Sequence, residues 1–191
     1  MKIAIACDHA GFELKCSLKK HLLVAEHDVQ DFGTSGPQTV DFVDFIYPAA
    51  LSVSQGKNER AILVDGAGYP SGIVANMLPN VFAAVANDTF SARLSREHSN
   101  TNILCLGGKL IGAGIAIDIV EIWLRSPFLG GRYAARVEKV QALARKHRRD
   151  EQTAARRIIT LQDLRDAVHR KESLVLDDST VFTPSVLDLF R

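Results

Sequence analysis

The sequence predicts an α/β fold: a three-layer α/β/α sandwich around a five-stranded parallel, Rossmann-like sheet, followed by a small C-terminal extension. Three observations carry that expectation. KIAIAC, AILV, VFAAVA and NILCL are short, nearly continuous apolar runs, and HDVQDFG supplies a fifth, more polar one. Segments with helical spacing lie between them, so strands and helices alternate, as a parallel sheet covered by helices on both faces requires. Finally, Asp8-His9 and Asp65-Gly66 fall at the C-terminal ends of strands, where open α/β sheets bind their ligands.

Each element follows in order. KIAIAC (2–7) is a strand, and FELKCSLKKHLL (12–23) places Phe12, Leu14, Leu18, Leu22 and Leu23 on or near one helical face. HDVQDFG (27–33) reads as the second strand. DFVDFIYPAALSVSQG (41–56) reads as a helix ending near Gly56, with Pro48 as an awkward interior residue that argues against its continuity. AILV (61–64) runs through a glycine turn into a short helix reaching about Met77. VFAAVA (81–86) precedes the helix DTFSARLSREH (88–98), and NILCL (102–106) precedes the helix GAGIAIDIVEIWLR (112–125). The stretch 132–157 is a basic helix whose Arg and Lys excess fits a solvated face. Thr160 and Asp163 resemble the N-terminal cap of a helix over 161–171. SLVL (173–176) reads as a short strand, and Thr183-Pro184 caps a last helix with proline at its first position. The expected division is a domain over 1–149 and an extension over 150–191, with too little apolar material for a core of its own. That extension packs on the domain or on a neighbouring subunit.

Composition narrows the function. With 191 residues, 47% of them hydrophobic and 24% charged, the chain can close one ordinary core. A net charge of +1 without a long basic face speaks against a general nucleic-acid role. Cys7, Cys16 and Cys105 are scattered and lack metal-ligand spacing, and the first and last of them read as buried structural thiols. The short apolar start is neither a signal peptide nor a membrane span, so the expected setting is cytoplasmic.

Several residues can carry chemistry. Gly66-Ala67-Gly68-Tyr69-Pro70-Ser71-Gly72 opens a helix directly after a buried strand, the geometry of an anion nest. Its G-x-G-x-x-x-G spacing is one residue longer than the dinucleotide fingerprint and follows a middle strand, which counts against NAD. A tight packing turn would leave the same pattern. Asp8-His9 fits either a capping pair or a binding pair, and His98 fits either a helix-terminal dipole partner or a functional imidazole. Arg132 and Arg136 are four apart and share a helix face, so they can clamp a phosphate or simply meet solvent.

MKIAIACDHAGFELK, DGAG, ANMLPNVFAAV, DTFSARLSREH, NTNILCLGGKLIG and FLGGRYAARVEKV occur in that order over residues 1 to about 145. Together they resemble the ribose-5-phosphate isomerase B and galactose-6-phosphate isomerase family. The resemblance implies a homodimer or tetramer with a site shared between subunits. It also implies aldose–ketose isomerisation of a sugar phosphate through an enediolate, without metal or organic cofactor. On the matching positions, Asp8 and His9 contact the sugar, and the backbone of Gly66, Gly68 and Gly72 stabilises enediolate charge. His98 helps open the ring beside Ser99, and Arg132 and Arg136 hold the phosphate.

This chain departs from the family pattern where the proton moves. The family loop commonly begins Cys-Gly-Thr-Gly, with the thiol as base, and here it begins Asp65-Gly66-Ala67-Gly68. A glutamate used by another branch is Ser71 here. The residue after the histidine, commonly Asn, is Ser99, and the usual Gly-Gly-Arg-His ends in Tyr133. Asp41 is kept without the familiar Asp-Tyr-Pro. A carboxylate can serve as base in this reaction type, so Asp65 is the expected replacement for the thiol. The alternatives are that Asp65 only caps the turn in a sugar-phosphate-binding protein, or that the chain is one subunit of a hetero-oligomeric isomerase.

Overall fold

A computed structural model describes residues 1–155, 158–174 and 180–190. Two compact units divide the chain, Met1–Lys139 and Val140–Arg191.

The first unit holds five parallel strands, β1 (Lys2–Cys7), β2 (Asp28–Asp31), β3 (Arg60–Asp65), β4 (Ala83–Val85) and β5 (Ile103–Gly107), in the order β2-β1-β3-β5-β4. Period-2 alternation splits their side chains cleanly between two apolar layers. Ile3, Ile5, Cys7, Ile62, Val64, Leu104 and Leu106 face one layer, while Ala4, Ala6, Ala61, Leu63, Ile103 and Cys105 face the other. The first layer is closed by α1 (Phe12–Val24) through Leu14, Leu18 and Leu22, and by α5 (Ala113–Arg125) through Ile119, Val120 and Trp123. The second is closed by α2 (Val43–Ser54) through Ile46, Ala49, Ala50 and Val53, and by α3 (Tyr69–Asn76) through Ala75. α4 (Thr89–Ser99) begins at Asp88, whose carboxylate accepts the Ser91 N–H and hydroxyl at 2.7 and 2.8 Å, and buries Ala92 in the first layer.

Pro48 sits inside α2 and does not interrupt it. It removes one backbone donor, and the helix face carrying Ile46, Ala49, Ala50 and Val53 is buried strongly enough to offset that loss.

α6 (Arg132–Ala155) crosses from the first unit into the second. Within the second unit, β6 (Ile158–Ile159) and β7 (Val181–Phe182) pair in parallel, joined through α7 (Leu161–Arg170); no apolar run in the sequence announces so short a pair. Thr160 and Asp163 form a reciprocal capping box at the start of α7, as their spacing predicts. α8 (Pro184–Leu187) has proline at its first position, although the Thr183 side chain makes no cap bond. Of the strand expected over 173–176, Ser173 and Leu174 are not in a strand, and Val175 and Leu176 lie outside the described residues, as do Arg156 and Arg157 of the basic stretch. Among the described residues no helix is long and apolar enough to cross a membrane.

Candidate active site

The strand order reverses between β1 and β3, and the chain leaves both strands at the same sheet edge. Such switch points open a crevice beyond the strand ends. The Asp8 N–H donates to the Val64 carbonyl at 3.1 Å, so the loop after β1 lies against the end of β3. Gly11 permits this approach, because a Cβ there would lie 2.4 Å from the Val64 carbonyl oxygen. Asp8 is half-buried, and its Oδ1 accepts the N–H groups of Ala10 and Gly11, both at 2.9 Å. His9 accepts the Val40 N–H on Nδ1 at 3.4 Å.

Asp65 ends β3 and is only 2% exposed. Its Oδ1 accepts the N–H groups of Ala67 and Gly68 at 2.8 and 2.6 Å. Its Oδ2 accepts the Ser71 N–H at 2.9 Å and the Ser71 hydroxyl. The glycine loop is therefore an anion nest, and its anion is the chain's own carboxylate. Gly68 takes a left-handed conformation, φ +82°, which turns the loop into α3. Of the three glycines whose N–H groups are expected to stabilise an enediolate, two are engaged here: Gly68 donates to Asp65, and Gly72 donates to the Gly68 carbonyl at 3.1 Å.

No buried thiol stands in for the missing one. Burial pushes Cys7 up to about 11, partly opposed by Lys15, and pushes Cys105 far higher, with the Asp65 carboxylate adding to the effect. Both are structural thiols, as their apolar settings predict. Lys109 is a site candidate that the sequence pattern does not single out. Its N–H donates to the Gly66 carbonyl at 3.1 Å, and its stem passes over Gly66, within 3.8 Å of where a Cβ would sit. The usable signal was its position just past β5, at the same sheet edge.

The remaining candidates occupy the other edge. Arg60, at the start of β3, donates to the Trp123 and Leu124 carbonyls at 3.2 and 3.0 Å, and the Trp123 indole donates to the Thr101 hydroxyl at 2.9 Å. Arg96 donates to the Thr101 carbonyl; burial, with Arg60 adding to it, lowers that guanidinium to about 10. These groups mark the N-terminal edge of the sheet. α4 returns there, bringing half-buried His98 and exposed Ser99 in its last turn. The Leu129 N–H donates to the Glu97 carbonyl at 3.1 Å and brings the start of α6 alongside. Tyr133 then stacks on His98, with ring centroids 4.1 Å apart and planes at 7°. Arg132 and Arg136, both exposed, lie over the Tyr133 ring.

The structure thus gathers the candidates in two groups rather than one. Asp8, His9, Asp65 and the loop to Gly72 lie at the C-terminal edge, and His98, Ser99, Arg132 and Arg136 at the N-terminal edge. The five residue steps of β3 separate them by about 16 Å.

Comparison with known proteins supplies the context for this arrangement. Residues 3–140 match the family model described as Ribose/Galactose Isomerase. Ribose-5-phosphate isomerase B of Escherichia coli is 37% identical over 145 residues, covering 76% of this chain and 97% of that protein. The structure of ribose-5-phosphate isomerase B from Clostridium thermocellum superposes with a TM-score of 0.75 at 41% identity, covering 77% of this chain and 99% of that one. The Mycoplasma genitalium ribose-5-phosphate isomerase B, solved with bound ribulose-5-phosphate, superposes with a TM-score of 0.72 at 32% identity, covering 75% of this chain and 95% of that one. With the five-stranded parallel sheet and these likenesses together, the chain belongs to the Ribose/Galactose Isomerase family of sugar-phosphate isomerases.

Proposed function

We propose that this protein is a cofactor-independent aldose–ketose isomerase of a phosphorylated four- to six-carbon sugar, working in the cytoplasm through an enediolate. The observation that carries the reading is the division of the site between opposite sheet edges. A sugar phosphate is much shorter than the strand that separates them, so one chain cannot bind both its ends. Two copies related by a two-fold axis set the C-terminal edge of one against the N-terminal edge of the other, and the symmetry yields two identical sites. Asp8, His9 and the loop from Asp65 to Gly72 then face the reacting carbons. His98 and Ser99 of the second copy serve ring opening, and its Arg132 and Arg136 hold the phosphate. Support for self-association comes from α3 and its C-cap, where Tyr69, Ile73 and Met77 recur every four residues and are 56%, 68% and 79% exposed. They form an apolar stripe that starts at the site loop, and Val43 and Tyr47 of α2 are exposed as well.

Asp65 is the proposed base, since it stands where relatives' patterns place a thiol. To take a proton it must exchange one of its four donors for substrate, and the rotatable Ser71 hydroxyl is the donor that can leave. The same four hydrogen bonds favour a second reading of this residue, as a brace that shapes the loop while another group moves the proton. Incubating the chain with aldose and ketose phosphates in deuterated water separates the two. Loss of exchange at C1 or C2 in a folded Asp65→Asn protein, with exchange intact in the surface control Asp118→Asn, supports the base. Undiminished exchange in Asp65→Asn removes it and leaves the brace.

A further inference from the structure

Tyr133 stands where the family pattern carries histidine, and it touches every side chain proposed for the phosphate end except Ser99. One face of the ring lies parallel to the His98 imidazole at 4.1 Å. The guanidinium carbons of Arg132 and Arg136 lie 4.9 and 5.8 Å from the ring centroid, within the range where a cation is drawn to an aromatic face. Arg132 also donates to the phenol oxygen at 2.9 Å. On α6, Arg136 follows Tyr133 by three residues, a spacing that makes their side chains neighbours, and the guanidinium of adjacent Arg132 folds back onto the same ring. Among the described residues no carboxylate forms an ion pair with either arginine. Two cations are thus held together by an aromatic ring instead of by counter-charge, and their positive charge stays available to an incoming anion.

We infer that Tyr133 builds the anion clamp: its ring seats His98 and gathers both guanidinium groups, and its hydroxyl donates to the bound anion. A phenol oxygen accepts and donates at once. Here the acceptor side is used by Arg132, and the O–H is left to point at an oxygen of a phosphate monoester. The clamp therefore presents two guanidinium forks and one neutral donor to a tetrahedral oxyanion, with the imidazole held parallel against the ring's face. This deepens the sugar-phosphate reading above and rests on it for the identity of the ligand.

The test uses inorganic phosphate as the probe on the full chain, in wild type, Tyr133→Phe and Tyr133→Leu. Calorimetry gives phosphate affinity, and NMR of the imidazole protons, assigned through His98→Gln, reports the stack. The stacked ring moves the His98 resonances upfield in wild type; Tyr133→Phe keeps that displacement and Tyr133→Leu abolishes it. Tyr133→Phe weakens phosphate binding about ten- to a hundredfold, the effect of one lost hydrogen bond to a charged group, and Tyr133→Leu weakens it further. In turnover, Tyr133→Phe raises KM more than it lowers kcat. Equal phosphate affinity in Tyr133→Phe and wild type overturns the role of the hydroxyl, and an unmoved His98 resonance in Tyr133→Leu overturns that of the ring. Wild type that binds phosphate and shows these NMR effects, yet isomerises no sugar phosphate, supports the clamp and counts against the isomerase reading alone.

Discussion

Asp65 shows how one side chain can answer to a local rule and to chemistry at once. A carboxylate after a buried strand, followed by a glycine loop, satisfies the loop's own donors before any ligand arrives. In Asp65→Asn one carboxylate oxygen becomes an amide nitrogen, which sets donor against donor at Ala67 and Gly68 or at Ser71. The expected cost is about 2–4 kcal/mol of unfolding free energy, read from urea denaturation, whereas the exposed control Asp118→Asn stays within about 0.5 kcal/mol. This stability measurement makes the deuterium-exchange result interpretable, because it shows how much of the variant remains folded. The sequence exposes Asp65 as a departure from the family pattern. It cannot show that the lone pairs are filled, because that depends on how the backbone of residues 67 to 71 is turned.

At the scale of elements, the join between α1 and the end of β2 is electrostatic. Lys15 is 2% exposed; its ammonium donates to Asp31 at 2.8 Å and to the Thr34 carbonyl at 2.7 Å, while Lys19 holds the other Asp31 oxygen at 2.8 Å. Burial alone would push the Asp31 carboxyl up, but hydrogen bonds from Lys15, Lys19 and the Gly33 N–H outweigh it and hold the group below the usual carboxylate range. A carboxyl lowered in the folded state stabilises the fold above its unfolded value, roughly 3.9, and that stability is lost as pH falls through the folded value. Thermal melts across the acid range are expected to show this loss in wild type and to lack this component in Asp31→Asn. At neutral pH the same variant is expected to be less stable by about 3–5 kcal/mol, because it leaves Lys15 as a buried charge without its carboxylate. A second element-scale prediction concerns α3. Ile73→Glu puts a charge into its apolar stripe and is expected to shift the protein toward monomer in sedimentation, with activity falling in parallel.

The whole molecule carries the prediction that most directly tests the divided site. Asp8→Asn and Arg132→Ala damage opposite edges, so each variant alone is expected to be inactive. After the two are mixed and allowed to exchange subunits, half the dimers carry one copy of each. In those dimers one site receives both damaged edges and the other receives none. Activity is then expected to recover to about a quarter of wild type, from two-fold symmetry and random pairing alone. A mixture as inactive as its components would place each complete site within one chain.

The sequence by itself determined the order of elements, the five strands and their parallel sense, because apolar runs and helical spacing are written locally. It determined the family as well, since an ordered set of motifs survives in the chain even where single residues have changed. It could not decide that the candidates fall at two edges. Asp8 and Asp65 come together because β1 and β3 pair side by side at the switch point, and His98 is carried away because α4 runs back along the sheet. The parallel stack of Tyr133 on His98 joins residues from two different helices, a contact that only packing creates. Positions along a chain record what each segment prefers; which of them share an edge is set by the direction each strand and helix takes through the sheet.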